Sequence, residues 1–291
     1  MKIVEPSVEI YREPDHLKKI ETIARVCTGT QDRTGTKPDF LKSLWERGHG
    51  TPFEHVRIKT GQLPDGDKTP EERLRDNILG WYNSDTYGQT YRVDYRGEYV
   101  RNPKTKRTRK SLICALNGRD FLTMGGRLDE LAELPEDDQY LTVKFTVDIG
   151  VGRELLRHRQ MSFMERSTRY YGFQNGLEFV RPVPFKWADG EDRMYSDFYY
   201  WRKMCEQADT LYREATARDS SPLPPQEARL FLPMSTATVL YMTGMFRQWA
   251  DVLNLRLASG AHPQMRFIMR SLVELPDFPA EIKSLVNTEV L

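Results

Sequence analysis

Four arginines, one histidine, one glutamate and two serines fall within the sixteen residues RHRQMSFMERSTRYYG, 157–172. The whole chain has a formal net charge of only +1, so this positive charge is a local concentration and not part of a global field. Guanidinium forks match the paired oxygens of phosphates and carboxylates. Ser162, Ser167 and backbone N–H groups can add neutral hydrogen bonds. Such a set suits an anionic substrate. His158, between Arg157 and Arg159, is biased toward its neutral form by their charge. An exposed helix end with a Glu165–Arg169 pair at i,i+4 spacing accounts for the same residues without any ligand.

A second polar group is GHGTPFEH, 48–55, where His49, Glu54 and His55 flank a Pro-Phe turn. Turn chemistry followed by a strand accounts for it, and His49 and His55 lack the helical spacing of a zinc pair. Arg229 lies in ARLFLP; Arg247 and Arg256 lie in MFRQWADVLNLRL. Surface arginines on helices are by default solvated. At about 100° per residue, Arg247 and Arg256 face nearly opposite ways on a straight helix, so two functional roles imply different pockets or different chains. Cys27, Cys114 and Cys205 are odd in number, widely spaced and without a neighbouring base or cation pattern. That argues against a disulfide framework, a thiolate metal site and an activated thiol. No Gly-rich dinucleotide fingerprint or Walker loop is present.

The elements that must hold these residues follow from periodicity. In YLTVKFTVDIGVG, residues Leu141, Val143, Phe145, Val147 and Ile149 alternate with Thr142, Lys144, Thr146 and Asp148, the pattern of a half-buried strand. Gly150 and Gly152 are expected to make a turn into a helical RELLRHRQM, which places the arginine cluster at a strand-to-helix junction that favours anions. Residues 15–48 read as helix, broken before FLKSLWERG, and 190–218 as an aromatic-rich helix. STATVLYMTGMFRQWADVLNLRL reads as one long helix with Ser235 as N-cap, and HPQMRFIMRSLVEL as the last helix. ERLRDNILGWYNSDTY reads as a helix inside 61–140, a region that also holds the basic run Lys104–Lys110.

The chain has 291 residues, 39% hydrophobic, 11% aromatic and 29% charged. This is a globular and not a disordered composition. The expectation is one domain over 1–291 of α/β (α+β) class, a mixed sheet flanked by long helices, with an insertion or elaboration at about 61–140 that cannot form a core alone. The N-terminus is too polar for a signal peptide and no apolar run approaches the roughly 20 residues of a membrane span, so a cytoplasmic location is expected. The near-neutral charge makes nucleic acid an unlikely partner.

The motifs, taken in order, resemble the flavin-dependent thymidylate synthases. Arg157-His158-Arg159, seven residues and then Ser167 match that family's signature, followed by Ser167-Thr168-Arg169-Tyr170. GHGTPFEH resembles the upstream element, Ala228–Pro233 the ARxxLP element, and Arg247 and Leu255-Arg256 the later positions; AHPQMR, 261–266, is a weaker echo. The resemblance implies transfer of a one-carbon unit from methylenetetrahydrofolate to C5 of dUMP, giving dTMP, on FAD recharged by NADPH. It also implies a homotetramer with shared sites and no cysteine nucleophile. Carried over, Arg157, His158, Arg159, Thr51, Glu54, Arg247 and Asp251 would hold the flavin. Glu154, Glu165, Ser167, Thr168, Arg169, Arg229 and Arg256 would hold the nucleotide. Arg256 would polarise the pyrimidine, His49 would sit beside the isoalloxazine, and Ser167 would position substrate. Glu154 stands where the family has Gln, Met164 and Met245 where it has Asn, and Asp251 where it has another polar flavin contact. A carboxylate, unlike an amide, only accepts hydrogen bonds. Two alternatives remain open: the same fold acting on dCMP or making a hydroxymethyl product, and a nucleic-acid-binding protein using the run 104–110.

Overall fold

A computed structural model describes residues 1–35, 38–60, 94–101, 108–123, 125–173, 175–183 and 196–290; side chains at 60 and at 94–114 are not described. In chain order the elements are β1 (Lys2–Val4), β2 (Ser7–Ile10), α1 (His16–Ala24), α2 (Asp39–Glu46), β3 (Arg57–Thr60), β4 (Asp94–Arg101), β5 (Thr108–Asn117), α3 (Gly118–Thr123) and α4 (Leu128–Glu133). They continue with β6 (Tyr140–Asp148), α5 (Ile149–Leu155), β7 (Ser162–Glu165), β8 (Glu178–Val180), α6 (Asp197–Ala217), α7 (Pro225–Ala228), β9 (Ala237–Met245), α8 (Phe246–Arg256), α9 (Pro263–Val273) and α10 (Ala280–Leu285). The mixture of helices and sheets is the α/β class expected. The main sheet is antiparallel, in the order β2-β6-β9-β7, and parallel pairing occurs between β1 and β8.

Two compact units are distinguished. The first comprises Met1–Arg12, Thr22–Thr34 and Gln139–Leu291. Its centre is β6, whose alternation holds: Leu141, Val143, Phe145 and Val147 are buried in one core with Trp249, Leu253, Met265, Ile268 and Leu272 of α8 and α9. On the other face Thr142 and Thr243 share a hydrogen bond of 2.9 Å across the β6–β9 pair. Trp249 stacks on Phe145 and donates its indole N–H to the Leu141 carbonyl at 2.9 Å, which seats α8 on the sheet. A further core of Phe173, Phe179, Phe198, Trp201 and Tyr212 lies under α6.

Several expectations are corrected. Residues 237–245 are strand β9, not the first half of a long helix, and the helix that follows begins at Phe246. The first eight residues of β9 are all buried, so no alternation marked it; its Thr and Val residues favour a strand. Gly150 and Gly152 lie inside α5, which starts at Ile149 and is capped by the Asp148 carboxylate accepting from Val151 N–H at 2.9 Å. Arg157–Arg159 therefore follow the C-terminal end of α5, and the helix N-terminus argument for anion binding does not apply to them. Glu165 ends β7, so it forms no helical pair with Arg169. The 15–48 helix is two helices separated by 3-10 turns at Arg25–Thr28 and Gln31–Arg33.

The second unit comprises Glu13–Glu21 and Gly35–Asp138, and so reaches beyond the elaboration expected at about 61–140. Its sheet is antiparallel, in the order β3-β5-β4. Ile20, Leu41, Phe53, Val56 and Ile58 supply its core together with Leu116, Leu122 and Leu131, so residues before 61 are needed to complete it. Buried Arg57 donates to Asp137 at 2.9 Å and to the Ala115 carbonyl at 3.2 Å. The helix read at ERLRDNILGWYNSDTY and Lys104–Arg107 lie outside the described residues. Among the described residues no helix is long and apolar enough to cross a membrane.

Candidate functional site

After Glu165 the chain leaves the sheet edge and turns sharply. Arg166 N–H still bonds the Val239 carbonyl of β9 at 2.9 Å, and Ser167 N–H bonds the Cys27 carbonyl at 3.1 Å. The Ser167 carbonyl then accepts from Tyr170 and Tyr171 N–H, at 3.2 and 2.9 Å, and its hydroxyl accepts from Arg169 N–H at 3.2 Å. Gly29, at φ 67°, lets the Tyr171 ring press on the 25–29 turn; a Cβ there would lie 2.3 Å from that ring. The backbone of 166–171 is thereby fixed.

This turn forms one wall of a cavity of about 720 Å³. Its lining brings together Glu165, Ser167, Thr168, Arg169 and Arg229, all expected to hold substrate. It adds Arg153 of α5, Leu156 just after that helix, Arg166, Tyr171, Leu230 and Thr238, to which the resemblance gave no role. No sequence signal marked Arg153, whose place on the wall follows from the packing of α5 against β9. Four guanidinium groups against one carboxylate suit the cavity to an anion.

The carboxylate is Glu165. It accepts from the Thr238 hydroxyl at 3.0 Å, and Gly152 faces it from α5, where a Cβ would stand 3.0 Å from its Oε1. Burial pushes its carboxyl pKa up, opposed by the Thr238 hydrogen bond and the Arg153 charge. Cys27 lies behind this wall, its thiol against Met164 Sδ at 3.2 Å and the Glu165 carbonyl at 3.4 Å. Burial, then the Glu165 charge, raises its pKa, and burial raises that of Cys205 to about 11. Both thiols are thus poor nucleophiles. The Cys114 side chain lies outside those described.

A second cluster joins the end of α8 to the end of α5. Arg256 donates from Nε to His158 Nε2 at 2.8 Å, from NH1 to the Glu154 carboxylate at 2.9 Å and from NH2 to the Glu154 carbonyl at 3.0 Å. His158 Nε2 is the acceptor, so its ring proton sits on Nδ1. Arg256 and Glu154 do not line the cavity. Arg157, Arg159, Arg247 and Asp251 are exposed. Met245 precedes α8, its N–H bonded to Gln248 Oε1 at 2.8 Å.

Burial, then the Arg256 charge, pushes the His158 pKa from 6.5 to about 4. The unfolded chain binds that proton near pH 6.5 and the folded chain only near 4. This contribution to stability is therefore complete above about pH 6.5 and declines as pH falls toward 4. In Arg256→Gln, NMR titration of His158 should give a higher pKa and the acid decline should flatten. An unchanged titration would mean that burial alone holds the ring neutral.

In the second unit, Thr51–His55 is a 3-10 turn with His55 and Phe53 buried, while Thr51 and His49 are exposed. Glu54 accepts from Arg119 NH1 at 2.6 Å. Among the described residues no group of three or more His, Cys, Asp or Glu side chains could hold a metal.

Residues 134–277 match the family model described as thymidylate synthase complementing protein. The probable flavin-dependent thymidylate synthase of Paramecium bursaria Chlorella virus 1 is 27% identical over 159 residues, 50% of this chain and 71% of the relative. The flavin-dependent thymidylate synthase of Synechocystis sp. is 27% identical over 144 residues, and the chain spans only 61% of that relative's length. Among solved structures, the UMP/dUMP methylase PolB from Streptomyces cacaoi bound with 5-Br dUMP aligns over 93% of this chain and 89% of its own, with TM-score 0.40 and 18% identity. The ordered motifs and the sequence matches together support the flavin-dependent thymidylate synthase family for this chain, through residues 134–277.

Proposed function

We propose that the protein methylates C5 of a uracil nucleotide, dUMP to dTMP. Reduced FAD would serve as cofactor, methylenetetrahydrofolate as one-carbon donor and NADPH as reductant. The single observation that carries this reading is the cavity uniting Glu165, Ser167, Thr168, Arg169 and Arg229. Exposed Arg169 and Arg229 hold the phosphate; Ser167 and Thr168, on a turn pinned by Cys27 and Val239, orient the nucleoside; Glu165 offers a carboxyl for the base.

The donor set also fits a dinucleotide cofactor. Arg157, Arg159 and Arg247 are exposed, and neither Arg157 nor Arg247 makes an ion pair among the described residues, which suits a pyrophosphate. When bound, the flavin supplies the hydride chemistry. Thr51, Glu54, Asp251 and the Nδ1–H of His158 complete the proposed flavin contacts, with His49 beside the ring system. Arg256 and Glu154 act by orienting His158. We place the enzyme in the cytoplasm as a homotetramer, with the opposed faces of α8 serving different chains.

The test is tritium release from C5-labelled dUMP, dCMP and UMP by protein whose flavin absorbance has been recorded. Flavin absorbance with release from dUMP supports the reading. Release from dCMP alone moves the substrate, and a colourless protein that binds no flavin overturns it.

A further inference from the structure

Arg166 is a cavity residue with unfilled hydrogen-bonding capacity. Its side chain is 14% exposed, and its one hydrogen bond among the described residues runs from NH1 to Glu178 Oε2 at 3.3 Å, long for a charge-assisted pair. Nε is buried without an acceptor. The guanidinium lies over the Tyr171 ring, with Cζ 4.3 Å from its centroid, and Tyr171 lines the same cavity. Glu178 is itself shared, its Oε1 standing 3.5 Å from Lys2 Nζ. A guanidinium has five donors, and burying them without acceptors is costly. Stacking on Tyr171 fixes the plane of the fork, which lowers the cost of ordering it around a ligand.

We propose that Arg166 is a third guanidinium for the nucleotide's 5′-phosphate, beside Arg169 and Arg229, and that Glu178 competes with the phosphate for it. The proposal rests on the nucleotide reading of the cavity. It assigns Arg166 a binding role where a brace between the turn and β8 would be the purely structural one. The two roles differ in what removal of Glu178 does. A brace fails when either partner is lost. A phosphate ligand is released for its task when the competing carboxylate is neutralised.

The experiment is calorimetric titration of the purified protein with dUMP, deoxyuridine and inorganic phosphate. Arg166→Gln should weaken dUMP roughly ten- to a hundredfold, the range for one or two tenfold steps of charge-assisted bonding, and leave deoxyuridine nearly unchanged. Arg166→Lys should recover part, since it keeps charge but loses the fork and the stacking. Glu178→Gln should bind dUMP as well as or more tightly than wild type. Equal losses for dUMP and deoxyuridine in Arg166→Gln, or a Glu178→Gln loss matching that of Arg166→Gln, would overturn the assignment. If Arg166→Gln does not fold, Arg166→Lys and Glu178→Gln decide: opposite effects on dUMP support the proposal and parallel losses sink it. Inorganic phosphate separates the two levels. A wild type that binds phosphate through Arg166 but binds no pyrimidine nucleotide overturns the nucleotide reading alone. Phosphate bound equally by wild type and Arg166→Gln overturns the Arg166 assignment alone.

Discussion

Trp249→Ala should cost about 3–5 kcal/mol of stability, the range for emptying a fully buried aromatic site. The ring is wholly buried, stacks on Phe145 and is seated between β6 and α8. Its removal leaves a void under α8 and takes the indole hydrogen bond from the Leu141 carbonyl, which stays in the β6–β9 ladder opposite Gly244. Trp249→Phe separates the two terms, because it refills most of the space and still lacks the N–H. That variant should lose about 0.5–1.5 kcal/mol, the net worth of one hydrogen bond. Urea denaturation followed by far-UV circular dichroism, with slopes compared, checks both. Equal losses for alanine and phenylalanine would mean that the hydrogen bond, and not packing, decides. α8 also carries Arg247, Asp251 and Arg256, so the alanine variant should loosen the Arg256–His158 contact before it unfolds.

The second large effect concerns Arg169. It is exposed, lies over the Tyr170 ring at 5.2 Å and shares the cavity with Arg229. On the nucleotide reading it makes a charge-assisted contact worth about 1.5–3 kcal/mol, and tenfold in affinity is about 1.4. Arg169→Ala should therefore weaken dUMP roughly ten- to a hundredfold. Flavin should remain bound, since Arg157, Arg159 and Arg247 are untouched. Lysine should rescue only part of the loss. Glu165 bonds Thr238 and makes no bond to Arg169, so the substitution leaves the carboxylate in place. Deoxyuridine is the control: equal losses for nucleotide and nucleoside would remove Arg169 from the phosphate site.

What could be read from residues alone followed from how one-sided each element's surroundings are. β6 has one face in the main core, and its alternation was legible from Leu141 to Val147. α9 shows a helical stripe, with Met265, Ile268, Met269 and Leu272 buried, and begins one residue after its expected start. β9 was illegible because Ala237 to Gly244 are all buried, which erases the two-residue period and leaves an apolar run of helical appearance. α5 was misplaced because two glycines suggested a turn, whereas Gly152 is there to make room for Glu165. Within the site, Glu165, Ser167, Thr168 and Arg169 were legible because one short motif carries them. Arg153 and Arg166 were not, since their place on the cavity wall depends on α5 packing against β9 and on Glu178. Arg256 and Glu154 were placed with the nucleotide, but their separation from the cavity depends on the tertiary arrangement of α5 and α8.

The turn that presents Ser167 and Arg169 is tied to Val239 on one side and Cys27 on the other, partners distant along the chain in both directions. β7 pairs with β9, Ser162 opposite Thr243, and β9 pairs on its other side with β6, Tyr140 opposite Met245. The recognition surface thus has high contact order, and loop-closure entropy must be overcome before any of it forms. During refolding it arises with the central sheet, after local helices such as α6 have had time to form. A nucleotide then has nothing to select among early species, so it cannot template folding. Its kinetic influence falls on the reverse path, where binding to the assembled surface slows departure from the native state.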